Sequence, residues 1–259
     1  MLSKQRRRQM VIKASPDQTA TYTLAFAATA HLSYRGRRTE NQDYVAQHLL
    51  SDGTLLCLLA DGTGTYGSAS SAYTVRYVAD LYNRYQTYDP AQALRWSIEQ
   101  THTTLSQWLQ QQPATGGCTL DAIAIRNGML WFGHSGDSRI YLLRERQLYI
   151  LTHDHSLPGQ LAQQGLLHPD RVAQHDLRNA LLRYIGSGRQ PAADFGACQI
   201  VAGDSVVLCS DGLWGSLIPE DFVSHLYHNT PTAAAHSLTD LALRRGSSDN
   251  MSVLVLQLR

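Results

Sequence analysis

Three aspartates stand where apolar runs begin or end, far apart in the chain. Leu55–Ala60 runs into Asp61-Gly62, Val206–Cys209 runs into Ser210-Asp211-Gly212, and Asp249-Asn250 precedes Met251–Leu258. A carboxylate at the end of a buried strand has its backbone fixed by the sheet while its head reaches the rim. Such a position suits a metal ion or a reacting phosphate. Aspartate is also an ordinary turn and cap residue, and any one of the three alone reads more readily that way. As a set they would repel one another unless something positive lay between them. Gly62 and Gly212 permit close approach, and oxygen donors of this kind suit Mg²⁺ or Mn²⁺ rather than a soft metal.

The rest of the composition excludes several classes. With 22 basic and 21 acidic residues in 259, the net charge is +1, and no long-range field favours nucleic acid or an anionic membrane. No apolar run reaches the length of a membrane span, so no membrane insertion is expected. The basic cluster Lys4-Gln5-Arg6-Arg7-Arg8 lacks the apolar stretch and cleavage site of a signal peptide, so residues 1–18 read as a flexible N-terminal segment. Cys57, Cys118, Cys198 and Cys209 form no CxxC pair. Reduced thiols and a cytoplasmic setting are expected.

The elements that must position the aspartates follow from periodicity. Strands are expected at Tyr22–Thr29, Tyr44–Leu50, Leu55–Ala60, Thr119–Ile125, Met129–Gly133, Arg139–Leu143, Leu148–Leu151, Ala197–Ala202, Ser205–Cys209 and Met251–Leu258. Helical spacing covers Ser68–Tyr85, a stretch from Pro90 to Trp108, Pro219–Tyr227 and Pro231–Leu243. Residues 157–195 differ in character: a short helix at Leu161–Leu167, another short element at Ala180–Ile185, then glycine and proline breaks. They read as a flap on a single domain spanning 19–259. Helix pairs separated by hairpin-connected strands argue for antiparallel sheets with helices outside, an α+β fold.

Gly62-Thr63-Gly64-Thr65-Tyr66-Gly67 matches G-x-G-x-x-G after a strand and before a helix. Asp61, immediately ahead of it, would face a pyrophosphate, and Asp80, near the ribose distance, falls inside a helix instead of at a strand end. A nicotinamide site is rejected on those neighbours.

Seven groups, the three with strand-end aspartates among them, stand in a telling order: Arg38…Asn41-Gln42-Asp43, Ala60-Asp61-Gly62, Gly117-Cys118-Thr119, Gly136-Asp137-Ser138-Arg139, Thr152-His153-Asp154-His155-Ser156, Ser210-Asp211-Gly212-Leu213-Trp214 and Asp249-Asn250. From about Ala25 to Leu258 the chain resembles metal-dependent protein serine/threonine phosphatases of the PP2C family, bacterial type. His175 and Arg178-Asn179 look like the motif before the flap returns. The resemblance implies a four-layer αββα sandwich with metals at one end of the sheet pair. It implies two core ions, Mn²⁺ or Mg²⁺, and a weaker third. By position, Asp61, Asp211 and Asp249 match the carboxylates of the first ion. Asp61 bridges to the second, which also takes the Gly62 carbonyl and is held by Asp43 largely through water. Asp137, with Asp211, matches the third site. Arg38 matches the arginine that grips substrate phosphate, and Asn250 stands behind the ligands.

The implied reaction is in-line attack of a metal-activated hydroxide on phosphoserine or phosphothreonine, with phosphoproteins as partners, a serine/threonine kinase or its target among them, acting as a monomer. The chain departs from the family pattern after Gly62, where Thr63-Gly64-Thr65-Tyr66 and Ala69-Ser70 replace the usual histidine and acidic residues. The alternative reading is a phosphatase-fold module that binds phosphoproteins with weak or no turnover.

Overall fold

The computed structural model describes residues 18–23 and 27–259. The expected N-terminal segment 1–18 lies outside them, Gln18 apart, which opens the first strand. Two antiparallel sheets stack face to face. One has six strands in the order β1 (Gln18–Thr23), β2 (Ala27–Tyr34), β13 (Met251–Leu258), β12 (Ser205–Cys209), β9 (Arg139–Arg144), β10 (Gln147–Ile150). The other runs β11 (Asp194–Gln199), β8 (Met129–Ser135), β7 (Leu120–Arg126), β4 (Leu55–Ala60), β3 (Tyr44–Leu49). A small ribbon of β5 (Gly62–Gly64) and β6 (Gly116–Cys118) projects from the end of the second sheet.

Period-two alternation explains why both faces of each sheet are covered. On β4, Leu56, Leu58 and Ala60 pack against helices α1 (Gly67–Tyr85) and α2 (Pro90–Leu109). Leu55, Cys57 and Leu59 point the other way, into the core between the sheets. On β13, Leu254 and Leu256 join that central core, while Met251, Val253 and Val255 meet α5 (Pro219–His228) and α6 (Pro231–Arg244). Three apolar layers therefore separate four structural ones, the αββα sandwich. Strands buried on both sides read as continuous apolar runs. Each buried Leu contributes roughly 1.5–3 kcal/mol. No helix among the described residues is long and apolar enough to cross a membrane.

The antiparallel registers bring the ends of distant strands to one rim. Tyr44 pairs with Ala60, Tyr34 with Met251, and Cys209 with both Val253 and Arg139. The residues just outside these pairs are Asp43, Asp61, Asp249, Asp211 and Asp137.

Several boundaries differ from the expectation. The apolar stretch at Tyr22–Thr29 is divided between β1 and β2, which pair antiparallel, with Thr21 opposite Ala30. Leu24, Ala25 and Phe26, between the two strands, lie outside the described residues. The helix expected at Leu161–Leu167 is α3, Leu157–Gln163, because Ser156 caps it by accepting from the Gly159 amide at 3.3 Å. Ala180–Ile185 forms no helix or strand; isolated bridges join Leu181 to Ser156 and Ile185 to Cys118. A 3-10 helix at Pro169–Gln174, the ribbon β5–β6 and the one-turn helix α4 (Asp211–Trp214) carry too few residues for a periodic signal. The strand expected at Ala197–Ala202 starts earlier, at Asp194, set by pairing with His134 on β8.

Candidate active site

Asp61 leaves β4 with its backbone clamped from both sides. Its amide donates to Thr119 Oγ1 at 2.9 Å, and its carbonyl accepts from the Thr119 amide at 2.8 Å. Thr119 Oγ1 is itself 2.7 Å from Ser138 Oγ. Asp211 opens α4 after Ser210, whose hydroxyl donates to Asp43 Oδ2 at 2.9 Å. Gly212 follows because a Cβ there would lie 2.0 Å from the Asn250 carbonyl oxygen. The strand-end turns of β12 and β13 are thus in backbone contact.

Asn250 organises the loop before β3. Its amide donates to the Arg35 carbonyl at 2.7 Å and the Glu40 carbonyl at 2.9 Å, and its Oδ1 accepts from the Gln42 amide at 2.8 Å. That loop carries Arg38, whose Nη2 donates to Asp249 Oδ2 at 2.6 Å. Half of the Arg38 side chain stays exposed.

Asp61, Asp137, Asp211 and Asp249 line one cleft of about 290 Å³ together with Arg38, Gly62 and Asn250. Asp43 lies behind, almost wholly buried, with its carboxyl in hydrogen-bond reach of Asp61. A larger groove of about 500 Å³ lies elsewhere, beside Leu148 on β10 and Val223 and Tyr227 on α5, and none of these carboxylates lines it.

The electrostatics of the cleft are those of crowded like charges. Burial first, and then Asp43, Asp211, Asp137 and Asp249, push the Asp61 carboxyl well above the usual range. Burial, then Asp211 and Asp154, do the same to Asp137. Burial and Asp249 raise Asp211. Burial also raises Asp43, against hydrogen bonds from Ser252 and Ser210 that favour its charged form. Arg38 is shifted upward by its hydrogen bond to Asp249.

These groups fit hard divalent cations. The donors are all oxygen, they destabilise one another's charge, and Asp43 Oδ1 is buried with no hydrogen-bond partner. Among the described residues no group of three His, Cys, Asp or Glu side chains already stands at metal-ligand geometry. Asp249 is instead turned to Arg38, whose Nη2 lies 2.6 Å from its Oδ2.

Every residue expected from the sequence falls at this end of the sheets. Asp43 alone does not line the cleft. What the strand-end reading missed is the support around Asp137. Arg139 forms a two-pronged pair with Asp154 at 2.9 and 2.8 Å and stacks over Trp214, 3.4 Å from the ring centroid. Trp214 Nε1 then donates to the Asp137 carbonyl at 2.9 Å. His155 Nδ1 accepts from the Gly136 amide at 3.1 Å. All these residues sit in the ordered sequence groups, but nothing in their spacing says who contacts whom. Asn179 and Leu181, from the segment after the 3-10 helix, also line the cleft.

An αββα sandwich with a carboxylate cleft at one end of its sheet pair defines a metal-dependent phosphatase. The family model described as Protein phosphatase 2C matches residues 32–244. The chain belongs to that family. It is 29% identical over 229 residues to the protein phosphatase PhpP of Streptococcus pneumoniae, covering 86% of this chain and 93% of that one. The crystal structure of the serine/threonine phosphatase PstP/Ppp of Mycobacterium tuberculosis superposes with a TM-score of 0.81 at 29% identity, over 90% of this chain and 99% of that one. A catalytic-domain structure of PstP in complex with two manganese ions gives a TM-score of 0.73 at 27% identity, over 90% and 98% of the two chains.

Proposed function

We propose that the chain removes phosphate from phosphoserine and phosphothreonine in proteins, with Mn²⁺ or Mg²⁺ at two core positions and a weaker third. The observation that carries this is the cleft itself: mutually repelling carboxyls on four separate strand ends, with Arg38 the single cationic side chain lining it among the described residues. Asp61, Asp211 and Asp249 would hold the first ion. Asp61 and the Gly62 carbonyl would hold the second, with Asp43 behind it acting through water, and Asp137 with Asp211 would hold the third. Bound there, such ions supply a nucleophilic water at neutral pH and offset charge on the phosphoryl oxygens.

The chain's own residues do the rest. Arg38, at the rim, presents a planar fork that can hold two phosphate oxygens. Asn250 keeps the Arg38 loop in place, and Thr119 keeps Asp61 aimed. Residues 19–259 act as one phosphatase domain, with 157–195 as its flap. Phosphoproteins, including a serine/threonine kinase or its target, are the substrates. The four free cysteines support a reducing compartment such as the cytoplasm.

The test is hydrolysis of para-nitrophenyl phosphate and a phosphothreonine peptide by the purified protein with Mn²⁺, Mg²⁺ or EDTA. Turnover with either ion and its loss in EDTA are expected. Undiminished turnover in protein verified metal-free by elemental analysis overturns the metal mechanism. Tight phosphopeptide binding without hydrolysis under any ion moves the chain to a binding module.

A further inference from the structure

The carboxylate cleft does not end at Thr63. A second hollow, also of about 290 Å³, shares Thr63, Gly64, Asn179 and Leu181 with it and continues between the β5–β6 ribbon and Tyr184. No charged side chain lines this continuation; beyond the shared residues its wall is Thr115, Gly116, Ala180 and Tyr184. The two hollows overlap along Thr63 and Gly64 of β5, and carboxylates line only the first.

The wall is firmly built. The Tyr184 ring lies on Gly117, where a Cβ would come within 2.4 Å of it. Cys118 and Ile185 exchange backbone hydrogen bonds of 3.1 and 2.8 Å, and the Leu157 amide donates to the Ala180 carbonyl at 3.0 Å. Thr63 and Asn179 line both hollows, so a hydroxyl and an amide stand where the two meet. Thr63 follows Asp61 by two residues, roughly 7 Å at the rise of a strand. That is the separation of residues i and i+2 in an extended peptide.

We propose that this second hollow is a side-chain subsite for the phosphoprotein, built to take an uncharged residue within two positions of the phosphorylated Ser or Thr. The substrate runs extended along the β5–β6 ribbon, with its backbone bonding Asn179 and Thr63. Asp, Glu, Lys or Arg at that position is disfavoured, because the hollow offers no opposite charge to a side chain losing water. The inference rests on the phosphatase reading above and adds the class of sequence it acts on.

The experiment uses phosphothreonine peptides in an alanine background, with Val, Asp or Lys placed in turn at each of the two positions on either side. Steady-state kcat/KM with Mn²⁺ is measured for the wild type, Ala180→Lys and the exposed-site variant Thr115→Lys. Each value is divided by that of para-nitrophenyl phosphate on the same protein, so a general loss cancels. At one position Val should exceed both Asp and Lys by about tenfold or more. Each variant should shift the Val-to-Asp ratio at that position toward Asp by about fivefold. If Ala180→Lys does not fold, Thr115→Lys decides. Equal kcat/KM across the peptides, or a preference that neither folded variant shifts, overturns the subsite alone. Absence of hydrolysis of every substrate overturns the phosphatase reading and the subsite with it.

Discussion

Arg38 Nη2 and Asp249 Oδ2 lie 2.6 Å apart, an ion pair spanning 211 positions of sequence. It joins the group proposed to grip phosphate to a group proposed to hold metal. In this pair each offsets the other's charge, and metal and phosphate must separate them. The pair is partly exposed, so it is worth about 0.2–1 kcal/mol.

Two effects of opposite sign should therefore follow from Arg38→Ala. Losing a competitor for Asp249 should tighten Mn²⁺ binding by up to about fivefold. Losing the phosphate clamp should lower kcat/KM on a phosphothreonine peptide by about 30- to 1000-fold. Arg38→Lys should recover only part, since a point charge does not reproduce the fork. Calorimetry and steady-state kinetics read the two effects separately. A kcat/KM within about threefold of wild type would remove Arg38 from the phosphate site.

Asp61 tests whether the cluster is held for function at the expense of stability. Burial and four carboxylate neighbours disfavour its charge. Asp61→Asn should leave the metal-free melting temperature equal or higher. It should also abolish most of the gain from Mn²⁺, which for the wild type is about 2.7 kcal/mol at one hundred times Kd for a single site. Thermal melts in EDTA and in Mn²⁺ check both statements. An equal Mn²⁺ gain in wild type and variant would mean that Asp61 is not a ligand.

Two glycines separate steric cost from conformational cost. A Cβ at Gly212 would meet the Asn250 carbonyl oxygen at 2.0 Å, although no unusual backbone angle is required there. Gly203 has φ +92° with nothing within 4 Å of the added atom. Gly203→Ala should cost about 1–2 kcal/mol through the left-handed backbone alone. Gly212→Ala should cost more, about 3 kcal/mol, because backbone must move. It should also lower Mn²⁺ affinity by displacing the Asp249 turn. Urea melts give the first comparison and calorimetry the second.

His155 should make stability depend on pH. Burial first, then the neighbouring His134 and Arg183, depress its ring to about 3, against the pull of Asp194. Its geometry also favours the neutral form, because Nδ1 accepts from the Gly136 amide and from Arg183 Nε, each at 3.1 Å. Between about pH 6.5 and 3 the unfolded chain binds a proton that the folded chain does not. Stability is thus fully present above about pH 6.5 and falls on acidification by about 1.4 kcal/mol per pH unit from this group. His155→Gln should lose about 2 kcal/mol less than wild type between pH 7 and pH 5. Parallel urea melts at the two pH values test it, and identical losses would show that His155 titrates normally in the folded protein.

What the sequence by itself determined is most of the strands, β5 and β6 excepted, and the carboxylates that stand at their ends. The runs ending at Asp61 and Asp211 and beginning after Asp249 are local signals, and alternation on β4 and β13 follows from covering both sheet faces. The ordered motifs around them were enough to name the family. Tertiary structure alone decided the partners. That Arg38 meets Asp249, that Asp43 sits behind Asp61, and that Arg139 holds Asp137 through Trp214 depend on registers between strands far apart in the chain. Periodicity along one strand says which face a residue occupies, but not which strand lies beside it. The segment from Asn179 to Tyr184 shows the limit most clearly. It has no repeating pattern to read, and it becomes a wall of the cleft only because Ile185 pairs with Cys118 and Leu181 with Ser156.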